Sequence, residues 1–313
     1  MKVLIAEDDI ISKKILEKHI KEWGYEVFTT DNGKKGWNLI NKHDIQLAIL
    51  DWMMPGMNGV DLCKKIRTEY QKKMSRFIYI IMVTGRDLQE DIIAGISAGA
   101  NDYMTKPFNL LELQVRLQNG RRIVELEENC LRLATYDSLT NLWNRSKIFE
   151  FYEEELSCGQ KQNQPTGIIM IDIDHFKNIN DSYGHYTGDI VLKETARLLK
   201  QALRNYDKIG RYGGDELFIV LPKCDQEEIK VIGERLRSTI SKCHFDIQTP
   251  PLKITISLGG VSSDVFPNAS KEELIQACDR ALYQAKKLGR NRLVSFDSSL
   301  PDQHKSVGKG KNI

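Results

Sequence analysis

Between residues 2 and 119, short apolar runs alternate with amphipathic stretches, and this alternation leaves few folds open. The strand candidates are Val3–Ala6, Glu26–Thr29, Leu47–Leu50, Ile78–Val83 and Asp102–Met104. Helix candidates near 10–23, 33–42, 58–70, 87–98 and 108–119 separate them. Five strands divided by helices predict a doubly wound α/β fold, a parallel sheet covered on both faces. In such folds the functional crevice lies beyond the carboxyl ends of the strands.

The polar residues at those ends are therefore informative. Glu7 and Asp8 follow the first strand, Asp51 ends the third, Thr84 ends the fourth, and Lys106 precedes Pro107 after the fifth. Clustered carboxylates call for a hard divalent cation, since like charges held close raise one another's pKa. With Mg²⁺ bound, Asp51 stays anionic and can attack a phosphoryl group, while Lys106 and Thr84 hold the phosphate oxygens. An acid at a strand end is usually a helix cap, and only the five together are specific.

These residues make 1–119 resemble a response-regulator receiver domain. The resemblance implies that Asp51 accepts a phosphoryl group from a histidine kinase, with Glu7, Asp8, Asp51 and the Met53 carbonyl around Mg²⁺. It further implies that Thr84 and Tyr103 form a switch pair.

From 108 to 136 a continuous helix is expected, overlapping the last receiver helix. Positions 110, 113, 117, 120, 124, 127, 131 and 134 step by three and four, with an adjacent stripe of Ile123, Leu126, Cys130 and Leu133. That spacing predicts a self-associating coiled-coil linker interrupted at Gly120 and Glu127. The alternative is a helix packed on its own domain.

A second domain, 137–297, reads as α+β with a mixed, partly antiparallel sheet. Its helix candidates are 138–157, 188–203, 225–242 and 270–287, and its strand candidates Gly167–Ile173, Asp207–Tyr212, Glu216–Leu221, Leu252–Gly260 and Arg292–Phe296. The tail 298–313 is polar and expected to be disordered.

Asp172 and Asp174 end one strand, and a Gly213-Gly214 hairpin carrying Asp215 and Glu216 is expected to oppose them. Acids gathered at one edge suggest Mg²⁺ bridging a triphosphate, and glycine lets phosphate or ribose approach the backbone. Taken alone, an ordinary hairpin with solvated acids explains the stretch better, since two-residue Gly-Gly turns are common.

Its company decides the matter: YDSLTNLWNR (136–145), FKNINDSYGHYTGD (176–189), RNYD (204–207) and ALYQAKKLGRN (281–291). With RYGGDEL they make the second domain resemble the GGDEF diguanylate cyclases, with Leu217 where the family usually has phenylalanine. The resemblance implies condensation of two GTP to cyclic di-GMP and two pyrophosphates. Asp172, the Ile173 carbonyl and Asp215 would hold two Mg²⁺, with Glu216 completing the site as a further metal ligand or as proton acceptor. Asn180 and Asp189 would read the guanine edge beside Phe176, and Gly213 and Gly214 would line the substrate. Lys177, Lys286 and Arg290 would neutralise phosphates, the last two sharing one helical face. Arg204 and Asp207, with five residues between Asp207 and Gly213, match the family's inhibitory product site. A two-fold product implies a homodimer with the site across the interface. Leu217 should face the core, so its effect is on packing and not on chemistry.

Composition narrows the remaining classes. The formal net charge is +2 with acids and bases interleaved, which argues against nucleic acid as a partner. No apolar run reaches membrane-span length and no secretion signal is legible, so a cytoplasmic protein is expected. Six cysteines without a C-x-x-C pair signal neither zinc nor disulfides. The alternative function is a non-catalytic cyclic di-GMP receptor signalling by protein contact. A DNA-binding regulator would need a recognition module that the sequence lacks.

Overall fold

The computed structural model describes residues 1–70, 76–85, 93, 95–245, 251–266 and 269–296. The chain divides into two compact units, Met1–Arg132 and Leu133–Ile313. The tail expected at 298–313 and most of the helix expected at 87–98 lie outside the described residues.

In the first unit β1 (Lys2–Ala6), β2 (Glu26–Thr30), β3 (Leu47–Asp51), β4 (Tyr79–Thr84) and β5 (Asp102–Thr105) form an all-parallel sheet in the order β2-β1-β3-β4-β5. β3 and β4 are buried throughout, as strands covered on both faces must be. Helices α1 (Ile10–Glu22), α2 (Gly33–Lys42) and α3 (Gly59–Lys65) each start at a side-chain cap: Asp9 accepts from Ser12 N–H, Asn32 from Lys35 N–H and Asn58 from Asp61 N–H. Leu4, Leu50 and Met82 face one core, and Ile5, Ile49 and Ile81 face the other.

Helix α4 runs from Leu110 to Thr135. Its expected seam is corrected over the first half: Leu113, Leu117 and Val124 are buried in the receiver core with Ile5 and Ile81. Gly120 is part of that contact, since a Cβ there would lie 2.5 Å from the Tyr79 ring. The stretch therefore packs on its own domain and is unavailable to a second chain. Beyond it Leu126, Cys130 and Leu133 are exposed, with Leu131 beside them.

The second unit carries a five-stranded mixed sheet in the order β12 (Leu293–Ser295), β11 (Ile256–Ser262), β6 (Thr166–Ile173), β8 (Glu216–Pro222), β7 (Lys208–Gly213). The central β6 runs antiparallel to β8 and to β11. β7 is antiparallel to β8, and β12 is parallel to β11. β9 (His244–Phe245) and β10 (Leu252–Lys253) form a separate pair. Helices α5 (Arg145–Gln162), α6 (Phe176–Tyr183), α7 (His185–Ala202), α8 (Gln226–Lys242) and α9 (Lys271–Lys287) cover the sheet.

Three expectations change here. The helix expected at 138–157 starts at Arg145, because Asp137 accepts from Thr140 N–H and Oγ1 and holds residues 137–141 as a turn. The helix expected at 188–203 starts at His185 and follows a separate helix, broken at Gly184 (φ +82°). The strand expected at 252–260 is two pieces, β10 and β11.

Candidate active site

In the first unit the parallel strands deliver their polar ends to one edge. Glu7 is 1% exposed and Asp51 6% exposed, and carboxylate oxygens of Glu7, Asp8 and Asp51 lie within 4.8 Å of one another. Lys106 Nζ is 2.8 Å from both Glu7 and Asp51. Burial, with Asp51 adding to it against the Lys106 ammonium, pushes the Glu7 carboxyl up to about 7. An all-oxygen, carboxylate-rich donor set of this kind suits Mg²⁺. Met53 N–H approaches Asp51 Oδ1 at 3.4 Å while its side chain points out. Thr84 is buried, and strand alternation puts it on the face of Ile80 and Met82, where Tyr103 also packs.

In the second unit the register settles which acids meet. Asp172 is directly opposite Glu216 across β6 and β8, and opposite Ser257 on β11. The hairpin differs from expectation by one residue: Gly213 pairs with Glu216, so Gly214-Asp215 is the two-residue loop. Gly214 is left-handed at φ +51°, and open space surrounds both glycines. Asp172 and Glu216 share the face of Met170 and Phe218, whereas Leu217, fully buried, turns to the opposite core with Ile171 and Ile219.

Burial raises the Asp172 carboxyl above the usual range, with Asp215 and Asp174 adding to it and the Lys286 hydrogen bond opposing. Burial likewise raises Glu216, reinforced by Asp172, Asp215 and Asp279. Lys286 Nζ sits 2.5 Å from Asp172 Oδ2, so this acid edge already draws a cation. Among the described residues the three carboxylates do not converge as tightly as those of the receiver. Their oxygen donors, with the Ile173 carbonyl, still fit hard cations.

Phe176 and Asn180 on α6 converge on Gly188 in α7, where a Cβ would lie 1.9 Å from Asn180 Oδ1 and 3.3 Å from Phe176 Cζ. Asp189 is next in sequence and exposed, as is Lys177. Arg290 is a correction: α9 ends at Lys287, and Arg290 lies beyond it at φ +61°, off the helical face that carries Lys286. Four-residue spacing implies a shared face only while the helix continues.

Arg204 is exposed, its guanidinium 2.8 Å from Tyr206 Oη, and its N–H donates to Asp207 Oδ2 at 2.8 Å. Both border a cleft of about 240 Å³ with Tyr136, Trp143 and Lys208. Two residues escaped the sequence reading. Arg211 Nε donates to Gly214 O at 2.9 Å while its Nη1 lies 3.0 Å from Asp137, so it ties the Gly214-Asp215 turn to the start of the domain. Both stand inside motifs already noted, but only tertiary contact pairs them.

Residues 134–292 match the family of the diguanylate cyclase GGDEF domain, and residues 3–118 match the response regulator receiver domain. The chain belongs to the GGDEF family. A receiver domain precedes the GGDEF domain in the chain. Diguanylate cyclase A of Treponema denticola is 38% identical over 175 residues, covering 55% of this chain and 47% of that protein. The response regulator PleD of Caulobacter vibrioides is 30% identical over 259 residues, covering 80% of this chain and 56% of that protein. The solved coiled coil and GGDEF domain of DgcB from Caulobacter crescentus, in complex with c-di-GMP, superposes with TM-score 0.53 at 28% identity, covering 58% of this chain and 98% of that one. The chain spans between 24% and 56% of the lengths of such curated relatives.

Proposed function

We propose that this protein is a phosphorylation-controlled diguanylate cyclase, condensing two GTP to cyclic di-GMP with release of two pyrophosphates. The observation that carries the reading is the cross-strand pair Asp172 and Glu216 beside the open Gly214-Asp215 turn, with Lys286 at the same edge. Asp172, the Ile173 carbonyl, Asp215 and Glu216 would hold two Mg²⁺, which when bound neutralise triphosphate charge and ease ionisation of the attacking 3′-hydroxyl. Asn180 and Asp189 bind the guanine edge, an amide and a carboxylate facing its acceptor and paired donors. Lys177 and Arg290 take phosphate oxygens, and Lys286 joins them once Asp172 has another cation.

One domain holds one GTP, and the product is two-fold symmetric, so a homodimer presents the two substrates to each other. The exposed Leu126, Cys130 and Leu133, spaced by four and three on α4, are the surface that would self-associate. Arg204 and Asp207 bind product and restrain turnover. Asp51, phosphorylated by a histidine kinase, shifts the Thr84–Tyr103 pair and through α4 the dimer. Among the described residues no helix is long and apolar enough to cross a membrane.

Pure protein with GTP and Mg²⁺ should make cyclic di-GMP, more of it with beryllofluoride, and Asp51→Asn should lose the beryllofluoride response. No product under either condition would overturn the reading in favour of a non-catalytic receptor. At the receiver site the sign with pH follows from Glu7, which must lose its proton to act as a ligand. With that carboxyl near 7, the apparent Mg²⁺ affinity should weaken about tenfold from about pH 8 to about pH 6, read by fluorescence of the adjacent Trp52. Equal affinity at both pH values would exclude Glu7 from the metal site.

A further inference from the structure

Asp174 is the second acid of Asp172-Ile173-Asp174, and alternation alone would set it beside Asp172 as another ligand. The fold uses it differently. It is 5% exposed, its Oδ1 accepts from Ser257 Oγ at 2.6 Å, and its Oδ2 accepts from Thr255 Oγ1 at 2.6 Å and Asn291 N–H at 3.0 Å. Its own N–H donates to Thr255 O at 3.0 Å. Three donors engage its oxygens, so little acceptor capacity remains for a metal.

The bond to Asn291 reaches a turn in an uncommon conformation. Gly289, Arg290 and Asn291 are all left-handed, at φ +108°, +61° and +47°. Residues with a Cβ avoid that region unless their surroundings over-determine it. Arg290 N–H donates to Ala285 O at 3.0 Å, and Asn291 Oδ1 accepts from Arg237 Nη1 at 2.8 Å. The Asp174 contact is the one of these three that ties the turn to the end of β6, two residues from Asp172. The same turn carries Arg290 and directly follows the helical turn carrying Lys286.

The geometry points to Asp174 as a positioning residue for the triphosphate end of the substrate: through Asn291 N–H it fixes the left-handed turn that registers Arg290 and Lys286 against Asp172. This rests on the cyclase reading above. A carboxylate is not required for the role. In Asp174→Asn the side-chain oxygen can still accept from Asn291 N–H while the amide donates to Ser257 Oγ, whereas Asp174→Ala leaves all three donors without their acceptor.

The test measures KM and kcat for GTP, the Mg²⁺ requirement, and hydrogen exchange over residues 288–292 in wild type, D174A and D174N. In D174A the KM should rise about tenfold or more with an unchanged Mg²⁺ half-saturation, and exchange at 288–292 should accelerate. In D174N both should stay within about threefold of wild type. An inactive D174N with a shifted Mg²⁺ requirement would make Asp174 a ligand and overturn the proposal. So would a D174A protein with unchanged KM and unchanged exchange. Should D174A fail to fold, D174N decides: retained KM and Mg²⁺ dependence support positioning, and their loss refutes it. A wild type that makes no cyclic di-GMP defeats the cyclase reading, and the exchange arm still tests the clamp.

Discussion

Replacing Glu216 with glutamine will reduce cyclic di-GMP formation by about a thousandfold without weakening the fold. The side chain stands opposite Asp172 at the sheet edge, and glutamine keeps its size while removing an anionic oxygen that a cation or an attacking hydroxyl's proton would use. Burial and the neighbouring Asp172, Asp215 and Asp279 raise this carboxyl above its usual range. A raised acid favours the fold while protonated and costs stability as pH climbs through its folded pKa. At neutral pH and without Mg²⁺ the variant should therefore melt no lower than wild type. Turnover and melting temperature separate the two effects. Turnover within tenfold of wild type would remove Glu216 from the chemistry, and a large drop in melting temperature would make it structural.

Alanine at Gly188 should raise the KM for GTP about a hundredfold while sparing the fold. A Cβ there would stand 1.9 Å from Asn180 Oδ1, so Asn180 has to move. Moving the end of a flexible side chain costs little stability, and alanine in place of glycine inside a helix gains up to about 1 kcal/mol. The displaced side chain is the one proposed to bind guanine, and moving its oxygen turns the whole amide away from the base. Affinity and stability should change in opposite directions, by substrate kinetics and thermal melting. An unchanged KM would mean that Asn180 does not read the base.

Much of this is legible in the amino-acid sequence alone. The acids at the ends of β1, β3, β6 and β8 could be placed because a strand's side-chain period is fixed and its ends fall where apolar runs stop. What failed were inferences that extended a local pattern past a point where long-range contact intervenes. The step of four from Lys286 to Arg290 assumes a helix that ends at Lys287. The Gly-Gly pair suggested the turn, and the pairing of Gly213 with Glu216 moved the loop onto Gly214-Asp215.

By itself the sequence determined the two-domain α/β and α+β plan, the edge at which each acid set gathers, and the family motifs. These follow from periodicities of two and 3.6 residues, which are properties of neighbouring positions. Only the tertiary structure decided what covers each apolar stripe and what binds each acid. Leu113, Leu117, Gly120 and Val124 repeat like a coiled-coil seam, yet the Tyr79 ring fills the space at Gly120 and the receiver core takes the rest. Asp174 repeats like a metal ligand, yet Ser257, Thr255 and Asn291 claim its oxygens. A periodicity records that a face is apolar or acidic; which group meets it depends on residues brought close by the fold from far along the chain.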